Sequence, residues 1–228
     1  MNHNNLQRLV TGFLKENQIW NRVISLDIEA DLRILDDPNK TFLSISTARR
    51  TENRVDIQKF VLNAETLEEE VKIFNDFTSF CSRSNPLVFI GYNVIGFDLP
   101  VLVLKMRQLN EKSKQSGKYR PNYWAFIEVL GKSYFLDMMD PIKSEIAKFD
   151  NASPRFISLE NAISHKRFSH IPFMRTKNIV SDITNNSTIN KWDAIYNLWK
   201  NDKNSFNKYI EGDVHDTLLL AEELFNTS

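Results

Sequence analysis

Asp27 and Glu29 stand two apart in VISLDIEA (23–30), where Ile24, Leu26 and Ile28 alternate with them. A period of two is that of a β-strand, and it sets both carboxylates on one face with Ile28 turned to the other. Adjacent like charges repel, so the pair costs free energy unless a cation or base offsets it. A cation with hard oxygen ligands is the chemistry this pair suits. Edge decoration or an approaching turn is the plainer explanation of a lone D-x-E in a chain with 29 acidic residues.

Two further stretches carry acids in chemically useful settings. In GYNVIGFDLPVL (91–102), Asp98 follows a buried apolar run beside two glycines and Phe97. Loops at strand ends are where reacting groups gather. As a plain structural feature, Asp98 would be an acid at a helix N-terminus, with Pro100 in the first turn. In YIEGDVHDTLLL (209–220), Tyr209 and Asp213 are four apart and share a helix face, and Asp216 lies near it as a competing acid.

Taken in order, strand D-x-E, strand-end N-x-x-x-F-D and helical Y-x-x-x-D resemble the tyrosine-bearing branch of the DEDD superfamily of 3′–5′ exonucleases. The likeness is greatest to the proofreading exonuclease domain of family B DNA polymerases. It extends over nearly all of residues 22–226, and SLENAISHKRF (158–168) is similar to that family's helix before its third motif. Ala30 departs from the small hydroxyl residue often found there. No histidine stands five residues before Asp213 or Asp216, which disfavours the histidine-bearing branch.

The resemblance implies a two-metal-ion phosphodiesterase that releases nucleoside monophosphates from the 3′ end of single-stranded DNA. Its cofactors would be two Mg²⁺ or Mn²⁺ ions about 4 Å apart. Asp27 would bridge both ions, with Glu29 and Asp213 completing the site of one. Asp98 would help hold the second through water. Tyr209 would orient the attacking water, since a phenol of pKa near ~10 positions better than it accepts a proton at neutral pH. Asn93 would hold the terminal nucleotide by hydrogen bond and Phe97 by aromatic packing.

These groups need elements to position them. VISLDIE, TFLSISTAR (41–49) and VDIQKFVLN (55–63) alternate and are joined by short turns, which predicts an antiparallel three-strand meander. Residues 65–82 show helical spacing of Leu67, Val71, Phe74, Phe77, Phe80 and Cys81. PLVFIGYN (86–93) and SYFLDMM (133–139) read as central strands, and a helix is expected from Phe97. Residues 110–122 and 175–188 read as polar loops, and two helices over about 189–200 and 204–226 close the chain. The expected fold is α/β and RNase H-like, a mixed sheet flanked by helices. A single free-standing exonuclease domain over 1–228, with a helical extension over 1–20 and no polymerase domain, is expected.

Composition bounds the partners. The 29 basic and 29 acidic residues cancel, which argues against a general polyanion binder held by bulk charge. Local cations can still serve a nucleic-acid groove, and Lys112, Lys114, Lys118 and Arg120 are one such cluster. The single cysteine, Cys81, excludes an internal disulfide or a thiolate metal cluster. His165, His170 and His215 lack metal-ligand spacing and read as surface or packing residues. With neither a signal-peptide pattern nor a membrane-length apolar run, a soluble cytoplasmic protein is expected. The expected partners are single-stranded DNA 3′ ends and a polymerase or repair complex. The same acids would serve an RNA-directed exonuclease or an RNase H-like endonuclease. A binding module that has kept only the fold would be expected to lack at least one of them.

Overall fold

The D-x-E strand lies at the centre of a five-stranded sheet of order β3-β2-β1-β4-β5. The computed structural model describes Gly12, Leu14 and residues 19–52, 54–185 and 188–226. β1 (Val23–Ala30), β2 (Phe42–Thr51) and β3 (Arg54–Val61) form the expected antiparallel meander. β4 (Val88–Gly91) runs parallel to β1 on its other side, and β5 (Tyr134–Asp137) runs parallel to β4.

The alternation in β1 divides the core. Ile24, Leu26 and Ile28 pack in one buried cluster with Phe74, Phe77 and Phe80 of α1 (Leu67–Ser84). Helix α1 starts where Thr66 accepts a hydrogen bond from the Glu69 amide and stops at Asn85, whose φ of 47° suits a left-handed C-cap. Val23, Val88, Ile90 and Leu136 belong to a second cluster, together with Leu14. Apart from Gly12, Leu14, Ile19 and Trp20, the helical extension expected over residues 1–20 lies outside the described residues.

α2 (Leu99–Ser116) follows β4 after one π-helical turn over Val94–Asp98. Residues 110–116, expected as loop, are its last turns, and Gly117 ends it at a φ of 65°. Their polarity reflects a solvated helix face built from good helix formers such as Glu111, Lys112 and Lys114. α3 (Tyr123–Lys132), α4 (Met139–Phe149) and α5 (Leu159–Ile163) follow. The polar stretch 175–188, also expected as loop, contains α6 (Asn178–Asn185). α7 (Lys191–Asn201) and α8 (Lys203–Asn226) match the two expected terminal helices. Phe206, Tyr209 and Ile210 of α8 join the first cluster, and Val214, Leu218 and Phe225 join the second. That double packing fixes both the height and the rotation of α8 against the sheet, and so the place of Asp213. No described helix is long and apolar enough to cross a membrane.

Candidate active site

β1 and β4 pair only from Val23 to Ser25 and then part. At the divergence a Cβ on Gly91 would lie 2.8 Å from the Leu26 carbonyl oxygen, so this close approach needs glycine. Beyond Ser25 the strand has no β4 partner, and the Ile28 amide donates instead to Asp98 Oδ1 at 3.1 Å. Asp98 therefore ties the second acidic stretch to the backbone between Asp27 and Glu29.

Asp213 reaches the same place from α8. Asp27, Glu29 and Asp213 each offer a ligand atom within 4.8 Å of the others. Asp98 stands beside this group, buried and close enough to feel the charges of Asp27 and Glu29. Tyr209 is wholly buried one turn before Asp213. Asn93 and Phe97 line the same cleft, of about 680 Å³. Asn93 adopts a left-handed φ of 71° and donates its amide to Asp137 Oδ1 at 3.1 Å, while Phe97 also packs on the core.

The sequence reading missed Lys177. Its ammonium bonds Asp213 Oδ2, donates to the Tyr209 hydroxyl at 3.1 Å and lies 4.7 Å from the Tyr209 ring centroid. Lys191 also lines the cleft and acts on the charges of Asp27, Glu29 and Asp213. Lys112 and Lys114 of α2, and Lys118 and Arg120 just after it, do not line it. Nothing local in RTKNIVSDITNNST distinguishes Lys177, because its partners lie more than thirty residues away.

Burial, then the Asp213 charge, lifts Asp27 to about 7 against the pull of Lys177 and Lys191. Burial, then the Asp27 charge, lifts Glu29 to about 8. Asp98 is raised well above the carboxylate range by burial and Asp27, with the Ile28 amide opposing. Burial raises Asp213 too, although Lys177 works against it. Tyr209 is held well above the usual phenol value by burial and then Glu29, so it keeps its proton.

The family model for the exonuclease domain of family B DNA polymerases matches residues 16–147, more than half of the chain. The chain belongs to this exonuclease domain family. Among curated relatives of this family B exonuclease domain is the DNA polymerase delta catalytic subunit of Dictyostelium discoideum. It is 29% identical over 104 residues, which cover 39% of this chain and 9% of that protein. Among solved structures, the family B DNA polymerase of the hyperthermophilic archaeon Pyrobaculum calidifontis shares the fold at a TM-score of 0.55 and 18% identity. That match covers 89% of this chain and 24% of the polymerase. The chain thus spans a small part of the length of either polymerase.

The donor set of this family B exonuclease domain fits divalent cations. Asp27 Oδ2 and Asp213 Oδ1 are buried and accept no hydrogen bond. Buried carboxylate oxygens are costly without a partner, and two of them in a group of three acids supply the all-oxygen ligands of a hard ion.

A pH dependence follows. In the unfolded chain these acids are ionised above their ordinary values of 3.8 and 4.5, whereas the folded protein retains their protons up to about 7 and about 8. The folded state therefore binds more protons, and rising pH destabilises the metal-free protein. A cation takes the deprotonated form, so its stabilising effect grows over the same range. The melting temperature without metal is expected to fall from about pH 5.5 to about pH 8.5, across the values of Asp27 and Glu29. Added Mg²⁺ or Mn²⁺ should raise it more at the upper pH. A metal-induced shift equal at both pH values would put the ion elsewhere.

Proposed function

We propose that this exonuclease domain removes nucleotides one at a time from the 3′ end of single-stranded DNA, using two Mg²⁺ or Mn²⁺ ions. The observation that carries the reading is the pair of unpartnered buried oxygens on Asp27 and Asp213, grouped with Glu29 where Asp27, Glu29 and Lys177 line a cleft. Asp27, Glu29 and Asp213 are the residues that would hold the cations, with Asp98 contributing through water. When bound, such ions activate water near neutral pH and neutralise charge on the transferring phosphoryl group.

The remaining residues act on the substrate. Tyr209, protonated and fixed by Lys177, orients the attacking water through its hydroxyl. Burial works against the Lys177 ammonium, but Asp213, with Asp27 and Glu29, holds it charged. In this reading it meets the non-bridging oxygens of the scissile phosphate, where negative charge must be stabilised. Asn93 and Phe97 hold the terminal nucleotide. Around the mouth, Leu32 is 71% exposed, Phe156 74% and Ile189 37%. Apolar side chains held in water at a cleft rim suit the base faces that an unpaired strand presents and a duplex hides.

The test is digestion of 5′-labelled single-stranded DNA with Mg²⁺ or Mn²⁺, beside a matched RNA and a closed single-stranded circle. Stepwise shortening of the linear DNA is expected. Digestion of RNA alone would make this an RNA exonuclease, and cutting of the circle an endonuclease. No hydrolysis of any substrate would remove the proposal.

A further inference from the structure

Asp216 takes no part in the three-acid group. It is 2% exposed, and its two oxygens receive two backbone amides of a distant segment: Met174 N at 2.8 Å and Arg175 N at 3.0 Å. His215 Nδ1 lies 2.9 Å from the same Oδ1 that takes Met174. The next residue, Thr176, donates its hydroxyl to the Tyr209 carbonyl at 3.3 Å. Lys177 follows at once.

The segment 174–177 is thus fastened to α8 at two points about two turns apart, Tyr209 and Asp216, on either side of Asp213. Between these fastenings sits Gly212, where an added Cβ would fall 1.7 Å from Thr176 Oγ1. Arg175, at the bend, has a φ of 55°, a conformation that costs a non-glycine residue free energy and persists only where surrounding bonds impose it. Hydrogen bonds from backbone amides to an ionised carboxylate are of the stronger kind. They are aimed at the stretch of backbone that delivers the Lys177 ammonium to Asp213.

We propose that Asp216 is a positioning residue for Lys177, with Gly212 providing the clearance that lets the segment lie flat on α8. Asp216 touches neither substrate nor cation. It sets the depth at which the Lys177 ammonium enters the cleft, so one helix supplies a metal-binding acid, a water-orienting phenol and the anchor of the phosphate-facing cation. The inference rests on the proposed role of Lys177.

The test is a double-mutant cycle on the full chain with single-stranded DNA as substrate. Asp216→Asn keeps the shape but faces an amide donor with a backbone N–H, and should lower kcat by about 10-fold with little change in KM. In a Lys177→Met background the same substitution should change kcat by less than about 2-fold, because the residue it acts through is gone. Equal losses in both backgrounds would make Asp216 ordinary packing and overturn the proposal. A second reading needs no activity: acylation of lysines followed by mass spectrometry. Lys177 should be protected in the wild type and labelled in Asp216→Asn, with Lys203 and Lys208 of α8 labelled equally in both. If Lys177 stays protected, the clamp is refuted even where kcat falls. Gly212→Ala, which pushes on Thr176 without touching Asp216, should show the same selective labelling should Asp216→Asn fail to fold. A wild-type protein without nuclease activity would sink the proposed function, and the labelling would then decide the clamp alone.

Discussion

Asp27→Asn is expected to lower hydrolysis of single-stranded DNA by at least about 10²-fold, the scale of losing a principal electrostatic element of a transition state. The substitution keeps the side-chain shape, so the strand register Asp27↔Ser46 is not at stake. What it removes is a charge whose Oδ2 has no hydrogen-bond donor. Stability should move the other way. Burial and the Asp213 charge both penalise ionised Asp27, and an amide escapes both. The metal-free variant should melt above the wild type at about pH 8, where Asp27 of the wild type, with its value of about 7, is largely ionised. Its gain in melting temperature on adding Mg²⁺ should shrink. A variant that digests DNA at the wild-type rate would show that Asp27 holds no catalytic ion.

Lys177→Met carries the second large effect, a loss of about 10²-fold in kcat with KM nearly unchanged, as for a contact made chiefly in the transition state. Methionine replaces the aliphatic stem, so packing over the Tyr209 ring is largely kept while the ammonium is lost. Here stability should follow activity. Lys177 is a protein cation set against Asp213, Asp27 and Glu29, and its loss leaves the repulsion among those carboxylates uncompensated. The metal-free variant should melt below the wild type, and divalent ions should restore more than they do in the wild type. The two substitutions therefore move melting temperature in opposite directions while both depress the rate. Differential scanning fluorimetry beside single-turnover kinetics would read both. A fall in melting temperature for both variants would point to general disruption.

Local spacing made the strands and acids legible. Alternation set Asp27 and Glu29 on one face, and four-residue spacing aligned Tyr209 with Asp213, because each pattern is contained within one element. Lys177 was hidden because its contacts to Tyr209 and Asp213 span 32 and 36 residues. The role of Asp216 was hidden for the same reason, its partners lying 41 and 42 residues upstream. Read alone, it could only compete with Asp213 as an acid on the same helix. α6 escaped notice because Asn, Ser and Thr dominate its surroundings, and these residues favour turns unless tertiary packing overrides them. Val180 supplies that packing by joining the first core cluster. The C-terminal turns of α2 were obscured in the same way, polar residues being mistaken for loop where they form a solvated helical face.

The floor and the rim of the cleft are built from different materials. Its acids sit on β1 and α8 and at the entry to α2, within or against the sheet core. Leu32, Phe156 and Ile189 come instead from a short turn after β1 and from the connections before α5 and α7. Under the proposed function, bond cleavage and polymer choice would thereby be separable traits. Connections of this kind accept replacement and altered length without disturbing the strands between them. The same hydrolytic floor can pass from one polymer to another as its border drifts, while the geometry at Asp27 stays where the sheet put it.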